Sequence, residues 1–302
     1  MYKNKFLLVI LMAFLLPGTS LAAEALKVAS WNIGWLGSHK YNQRSSEDYA
    51  ELARYAKLLD ADVIALQEVE NAEYASKVFG DDYDYYFSSN DWVQRVGVAV
   101  RKNTGLVVKA QEYRALDVGK SRYGMDITLS KGKDQLRLLA VHLKSGCFEE
   151  KLDKRSIKRM KVRSKETRKK KVACISLSNQ AWLLENWIDS RARENIPFIV
   201  LGDFNRRFAI DIAKEYTEEQ GLWQTIDDEG QEDLWSPTLS RNSRCWGGYH
   251  KHYIDHIVMD PRARETYVEG SYNQLVFEQK YTESLSRSLS DHCPISVEFN
   301  WP

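Results

Sequence analysis

"VLGDFNR", residues 200–206, ends an apolar run that starts at Phe198 with an acid, an aromatic and an amide. A short continuous apolar run reads as a strand buried on both faces. Polar residues at its end have two readings. Asp203 can cap a following helix. Alternatively, Asp203 and Asn205 can hold a reacting group at the strand's mouth.

The same device recurs in five other segments. "SWNIGWLG" carries Asn32, and "LQEV" carries Glu68. "VHLKSG" carries His142 and Lys144, two apart and so on one strand face. "YIDHI" carries Asp255 and His256, and "LSDHCP" carries Asp291 and His292. Each alone has a plain reading as a turn residue, a solvated acid or a cap. Six apolar segments with acid, amide or imidazole groups at their ends point to one shared polar site. Pro294 favours extended backbone at Cys293, so Asp291 and His292 are expected in the loop before the last strand, where both can turn inward.

Around these segments the pattern alternates between strands and helices. Strands are expected at 26–33, 62–69, 83–89, 96–102, 106–116, 123–130, 136–144, 196–203, 253–260 and 294–300. "SKGKDQ", 130–135, reads as a hairpin turn. Helices are expected at 46–59, started by Ser45-x-x-Asp48, and at 172–194, with Leu177, Ala181, Leu184 and Ile188 on one face. With no internal repeat or long linker, this is one mixed α/β domain with two central sheets and outer helices.

Residues 1–23 are read as a leader. Lys3 and Lys5 precede an apolar run at 6–16, Pro17-Gly18 breaks it, and Ser20-Leu21-Ala22 supplies small residues for cleavage. The run is too short to span a membrane comfortably. The chain from 24 to 302 is therefore expected to be secreted or periplasmic, monomeric and without a stable membrane anchor. An oxidising compartment favours pairing of Cys147, Cys174, Cys245 and Cys293. Three connectivities exist. We favour Cys147–Cys174 with Cys245–Cys293, and buried free thiols are the alternative.

Charge is unevenly placed. Loss of Lys3 and Lys5 takes the net charge from +1 to −1, yet residues 151–171 hold 12 Lys or Arg against Asp153 and Glu166. That block carries +10 and leaves the rest near −11. It reads either as a solvated, mobile insertion, spanning about 148–173, or as an arm for a polyanion. It has no aromatic residue, so it would hold phosphates without reading bases. Starting nine residues after His142, its root is expected near the mouth of the site.

In this order, the six segments resemble the endonuclease/exonuclease/phosphatase superfamily, with "GDFN" and "SDHCP" specific in combination; the ending "SDHCPISVEF" and the leader look closest to its exported DNase I-like nucleases. The resemblance runs from about residue 26 to 299. It implies a four-layer α/β sandwich with two packed mixed sheets, and divalent-metal-dependent hydrolysis of a phosphate ester. Mg²⁺ is the expected ion, with Mn²⁺ or Ca²⁺ as alternatives. Glu68 would bind it, Asn32 would support Glu68, and Asp291 would bind the same or a second ion. His292 would be the base, oriented by Asp255. His142 would bind phosphate or protonate the leaving oxygen. Asp203 and Asn205 would position the nucleophile and the phosphate. Arg122 in "KSRYG" resembles a phosphate-contacting arginine, and Lys144 is a further candidate. Gln94 falls where DNase I has a glutamate supporting the residue equivalent to His142. His256 departs from the usual Tyr, Phe or Arg after the "ID" step. His250 and His252 are read as surface-loop residues. The expected substrate is DNA or RNA, cut with low sequence specificity. The alternatives are a sphingomyelinase-type phospholipase C, with Trp223, Trp235 and Trp246 available for membrane entry, and a phosphoinositide phosphatase.

Overall fold

The computed structural model describes residues 25–228 and 233–301. The expected leader at 1–23 lies outside the described residues. The strands are β1 (Ala25–Leu36), β2 (Val63–Val69), β3 (Tyr83–Phe87), β4 (Arg95–Arg101), β5 (Val107–Tyr113), β6 (Gly124–Lys131), β7 (Asp134–His142), β8 (Phe198–Asp203), β9 (Asp255–Met259), β10 (Asn273–Gln274) and β11 (Ile295–Asn300). The helices are α1 (Ser46–Leu59), α2 (Ala72–Phe79), α3 (Lys154–Arg159), α4 (Lys165–Ala192), α5 (Phe208–Ala213), α6 (Leu222–Ile226), α7 (Pro261–Thr266) and α8 (Glu283–Ser288).

The strands form two mixed sheets, in the orders β10-β11-β1-β2-β4-β3 and β5-β6-β7-β8-β9. Strand alternation divides the core into layers. Val28, Val63 and Val98 of the first sheet meet Leu138, Ala140 and Leu201 of the second between the sheets. Their neighbours point the other way. Ala29, Trp31 and Ile64 pack under Leu52, Tyr55 and Leu59 of α1. Leu139, Val141 and Val200 pack under Leu177, Leu184 and Ile188 of α4. The result is helix, sheet, sheet, helix: the expected DNase I-like sandwich.

Both expected disulfides are present, Cys147–Cys174 and Cys245–Cys293. Helix α1 begins where its sequence signal stands, because Ser45 and Asp48 cap each other reciprocally. Other boundaries move. β7 stops at His142, so Lys144 lies past the strand and its backbone N–H donates to Gln180 Oε1 at 2.8 Å. The shared strand face expected for His142 and Lys144 does not exist. The basic block also differs from a loose arm. It forms α3 and the first turns of α4, with Leu152 and Ile157 buried in the core beneath α4.

Candidate active site

Topology gathers the polar strand ends. β1 and β2 run parallel, as do β7 and β8, so Asn32, Glu68, His142 and Asp203 lie at or near C-terminal ends on one edge of the sandwich. β9 and β11 run antiparallel to β8 and β1, so they begin at that edge. This brings in Asp255 and, just before β11, Asp291 and His292. Eight of the ten expected catalytic, metal and phosphate-contacting residues line one cavity of about 490 Å³; Asn32 supports its floor from beneath and Lys144 stands outside it. His250 and His252, expected on a surface loop, line its wall.

The local backbone is built for this edge. Glu68 adopts φ +59° at a bulge where β2 slips against β4. That turn lets Glu68 Oε2 accept from the Trp35 backbone N–H at 3.2 Å. Asn205 has φ +50°, and its backbone N–H donates to Asp203 Oδ1 at 2.8 Å while its side-chain amide donates to Leu143 O at 3.1 Å. Asp203 therefore holds its own turn and caps no helix, since α5 starts only at Phe208. Phe204 is fully buried against Phe208 and His256 and fixes the turn from behind.

Asn32 joins the two sheets. Its Nδ2 donates to Asp203 Oδ2 at 3.1 Å and to Glu68 Oε1 at 3.4 Å. Across β8 and β9, Asp203 faces Asp255 directly, a like-charge pairing that costs stability unless something else compensates it. His292 supplies part of that compensation: Nδ1 bonds Asp255 Oδ2 at 2.7 Å and Nε2 lies 3.9 Å from Asp203 Oδ2. Burial works against charge on His292, but the carboxylates of Asp255, Asp291 and Asp203 outweigh it and raise its proton affinity well above the ordinary value. Burial pushes Asp203 up to about 7, opposed by His292 and reinforced by Asp255.

His142 behaves differently. Burial, with Arg122 and His292 nearby, holds its proton affinity well below the ordinary value, so the ring is neutral. Its Nε2 lies 3.5 Å from Asp203 Oδ2 and 3.7 Å from Glu68 Oε1, and its Nδ1 has no partner. Gln94 does not hold this ring. Its Oε1 instead accepts from Arg122 at 2.8 Å and from the Trp92 indole at 3.0 Å. The two donors claim the amide, so Gln94 serves Arg122, the half-buried guanidinium of the cavity. Asp291 stands at the rim with its side chain 60% exposed. Other lining residues carried no separate signal in the sequence, among them Trp35, Ser145, Phe148 and Arg207. Arg207, adjoining "GDFNR", was the one that position alone could have flagged.

The donor set suits a divalent cation. Glu68, Asp203 and Asp255 offer hard carboxylate oxygens. Ligand atoms of Asp203, Asp255 and His292 lie within 4.8 Å of one another. Burial is the main cause of the upward shift of Asp203, and the Asp255 and Glu68 carboxylates beside it add to the rise.

An α/β sandwich with acids, amides and imidazoles at the meeting edge of its two sheets defines a class. The sequence pattern of the endonuclease/exonuclease/phosphatase family matches residues 29–292, and the chain belongs to that family. No curated protein matches it in sequence. Among solved structures, it resembles a truncated TDP2 from Caenorhabditis elegans at 17% identity and TM-score 0.59, over 91% of this chain and 97% of that one. It resembles the catalytic domain of human Nocturnin, solved with a sulfate anion, at 15% identity and TM-score 0.52, over 91% and 94%. It also resembles the AP endonuclease LMAP of Leishmania major at 14% identity and TM-score 0.54, over 92% and 88%. At these identities the likeness is one of fold.

Proposed function

We propose that the protein is an exported, divalent-metal-dependent phosphodiester hydrolase, a nuclease of low sequence specificity. The observation that supports it is the hydrogen-bonded Asp255–His292 pair facing Asp203, Glu68 and Arg122 across one cavity. Asp255 holds the imidazole so that Nε2 faces the cavity and takes a proton from the attacking water. Arg122, anchored by Gln94, and neutral His142 bind the phosphate oxygens. Asp203 and Asn205 position the phosphate and the water. Glu68 and Asn32, with Asp255 or the rim carboxylate of Asp291, would hold the cation. A bound cation would neutralise a phosphate oxygen and, among these carboxylates, lower the proton affinity of His292 toward the range of a base.

Neutral His142 is a poor proton donor, so we assign it phosphate binding rather than leaving-group protonation. Export by the leader at 1–23 accords with the two disulfides. Trp223 and Trp246 are buried, and Trp235 lies beneath Arg264. None of the three is free for membrane entry, which weakens the phospholipase alternative.

The test is hydrolysis of plasmid DNA, RNA, sphingomyelin and a phosphoinositide by the protein from residue 24 onward, with Mg²⁺ or with EDTA. Nucleic-acid cleavage with Mg²⁺ alone is expected, and activity confined to lipid overturns the reading. His292→Ala is expected to lower kcat by about 10²–10⁴-fold. Near-normal turnover removes His292 as the base.

A further inference from the structure

Trp35 breaks the pattern of its strand. Trp31, Ile33 and Leu36 are buried under α1, and alternation would give Trp35 the same apolar face as Ile33. Instead Gly34 at φ +54° and Trp35 at φ +57° insert a bulge, where β1 slips against β2. A positive φ at a residue as large as Trp is costly and survives where the surroundings enforce it. Here the Glu68 carboxylate does so through the Trp35 N–H. The bulge removes Trp35 from the core and sets it in the cavity wall.

A second tryptophan stands beside it. The ring of Trp92 lies 6.0 Å from that of Trp35 and is 53% exposed. Exposed Tyr41 is a further aromatic neighbour, 5.4 Å from Trp35. Such exposure at one spot has no packing purpose. Trp92 is also coupled to the cavity's cation, because its indole N–H and the Arg122 guanidinium donate to the same Gln94 oxygen. One amide therefore ties an aromatic edge to the arginine that lines the cavity.

We propose that Trp35 and Trp92 form a stacking platform for the base of the nucleotide next to the phosphate held at Arg122. The ligand class is an unpaired nucleobase, so the strand enters single-stranded or frayed. Every base offers a π-face, so the platform favours unpaired strands without selecting sequence. This rests on the nuclease reading and adds the state of the strand to it. The basic surface at 151–171, lacking aromatics, grips phosphates farther along.

The test uses a DNA oligonucleotide with a single hydrolysable phosphodiester, and versions with an abasic residue on either side of that bond, all with Mg²⁺. For the parent, loss of the base on one side is expected to lower kcat/KM about tenfold. In Trp92→Ala that penalty is expected to shrink to about twofold or less, whereas Trp92→Phe, which keeps a ring but not the N–H, retains most of it. The full duplex of the same strand is expected to be cut more slowly than the single strand. An abasic penalty unchanged in Trp92→Ala, or absent in the parent, overturns the platform while leaving the nuclease reading intact. If the parent cuts no nucleic acid, both fall.

Discussion

Gln94 has one side-chain oxygen, and two donors, the Trp92 indole and the Arg122 guanidinium, share it. An acceptor for a charged donor contributes about 1.5–3 kcal/mol. Gln94→Leu would leave the half-buried Arg122 without that anchor. We expect KM for a short diester to rise roughly 10–100-fold, with kcat changing less. Gln94→Glu keeps the acceptor and is expected to preserve KM better; steady-state kinetics on both variants checks this. Residues differ in how plainly the sequence announces them. Asp203, Asp255 and His292 were readable because charged groups at the ends of buried strands are costly without a purpose. Gln94 was readable as a site residue but not as the partner of Arg122. An amide suits either neighbour, and only the position of Arg122 before β6 decides between them. Trp35 gave no warning, because an aromatic after an apolar strand looks like core until the bulge turns it out.

β8 tolerates one residue at position 202. Gly202 has φ +142°, and a Cβ there would lie 2.0 Å from the Val141 carbonyl oxygen of β7. Gly202→Ala must push β7 and β8 apart where they carry His142 and Asp203. A loss of about 4 kcal/mol or more is expected, measured by urea unfolding. On the neighbouring β9, His256 stacks on Phe208 at 3.9 Å, with its ring nitrogens on Thr238 Oγ1 and Arg206 O. Burial lowers its pKa to about 3. The unfolded chain therefore binds this proton below pH 6.5 while the folded chain does not. Its contribution is complete above 6.5 and is lost as pH falls toward 3, at about 1.4 kcal/mol per pH unit. His256→Gln is expected to be less stable at pH 7 but flatter with pH between 6.5 and 4, in the same urea assay. The strands were largely legible because their apolar runs are long. The basic helices were not. Residues 165–171 carry almost no apolar face, so the start of α4 rests on the mutual cap of Ser164 and Thr167, which the charge conceals. The extension of β7 to Lys144 failed for the opposite reason: alternation continued in sequence after the chain had turned away.

Across the whole molecule, the basic lobe opposes a body of opposite sign, and its root at Phe148 reaches the cavity. A strand held in that cavity is expected to meet the lobe at its more distant phosphates. Reversing four lobe charges among Lys158, Arg159, Lys161 and Arg163 should raise KM on long DNA and flatten its salt dependence. A trinucleotide should be less affected, and kinetics at several NaCl concentrations separates the two. The four-layer architecture could be read in advance, since it needs only the order of apolar runs. The folded lobe could not, because Leu152 and Ile157 are too sparse to signal a core contact among so many lysines.

Between α3 and α4 the chain is exposed at Lys161 and Arg163, while Cys147 and Cys174 are joined across it with their Cα atoms 5.0 Å apart. A host or bacterial protease of trypsin-like preference would find its cut there. The products would not separate. The nicked protein would run as one species without reductant and as two with it. Because every cavity residue lies outside the cut, the clipped form is expected to remain folded and active on short substrates. In a protease-rich environment, the bridge converts a vulnerable loop into a harmless break.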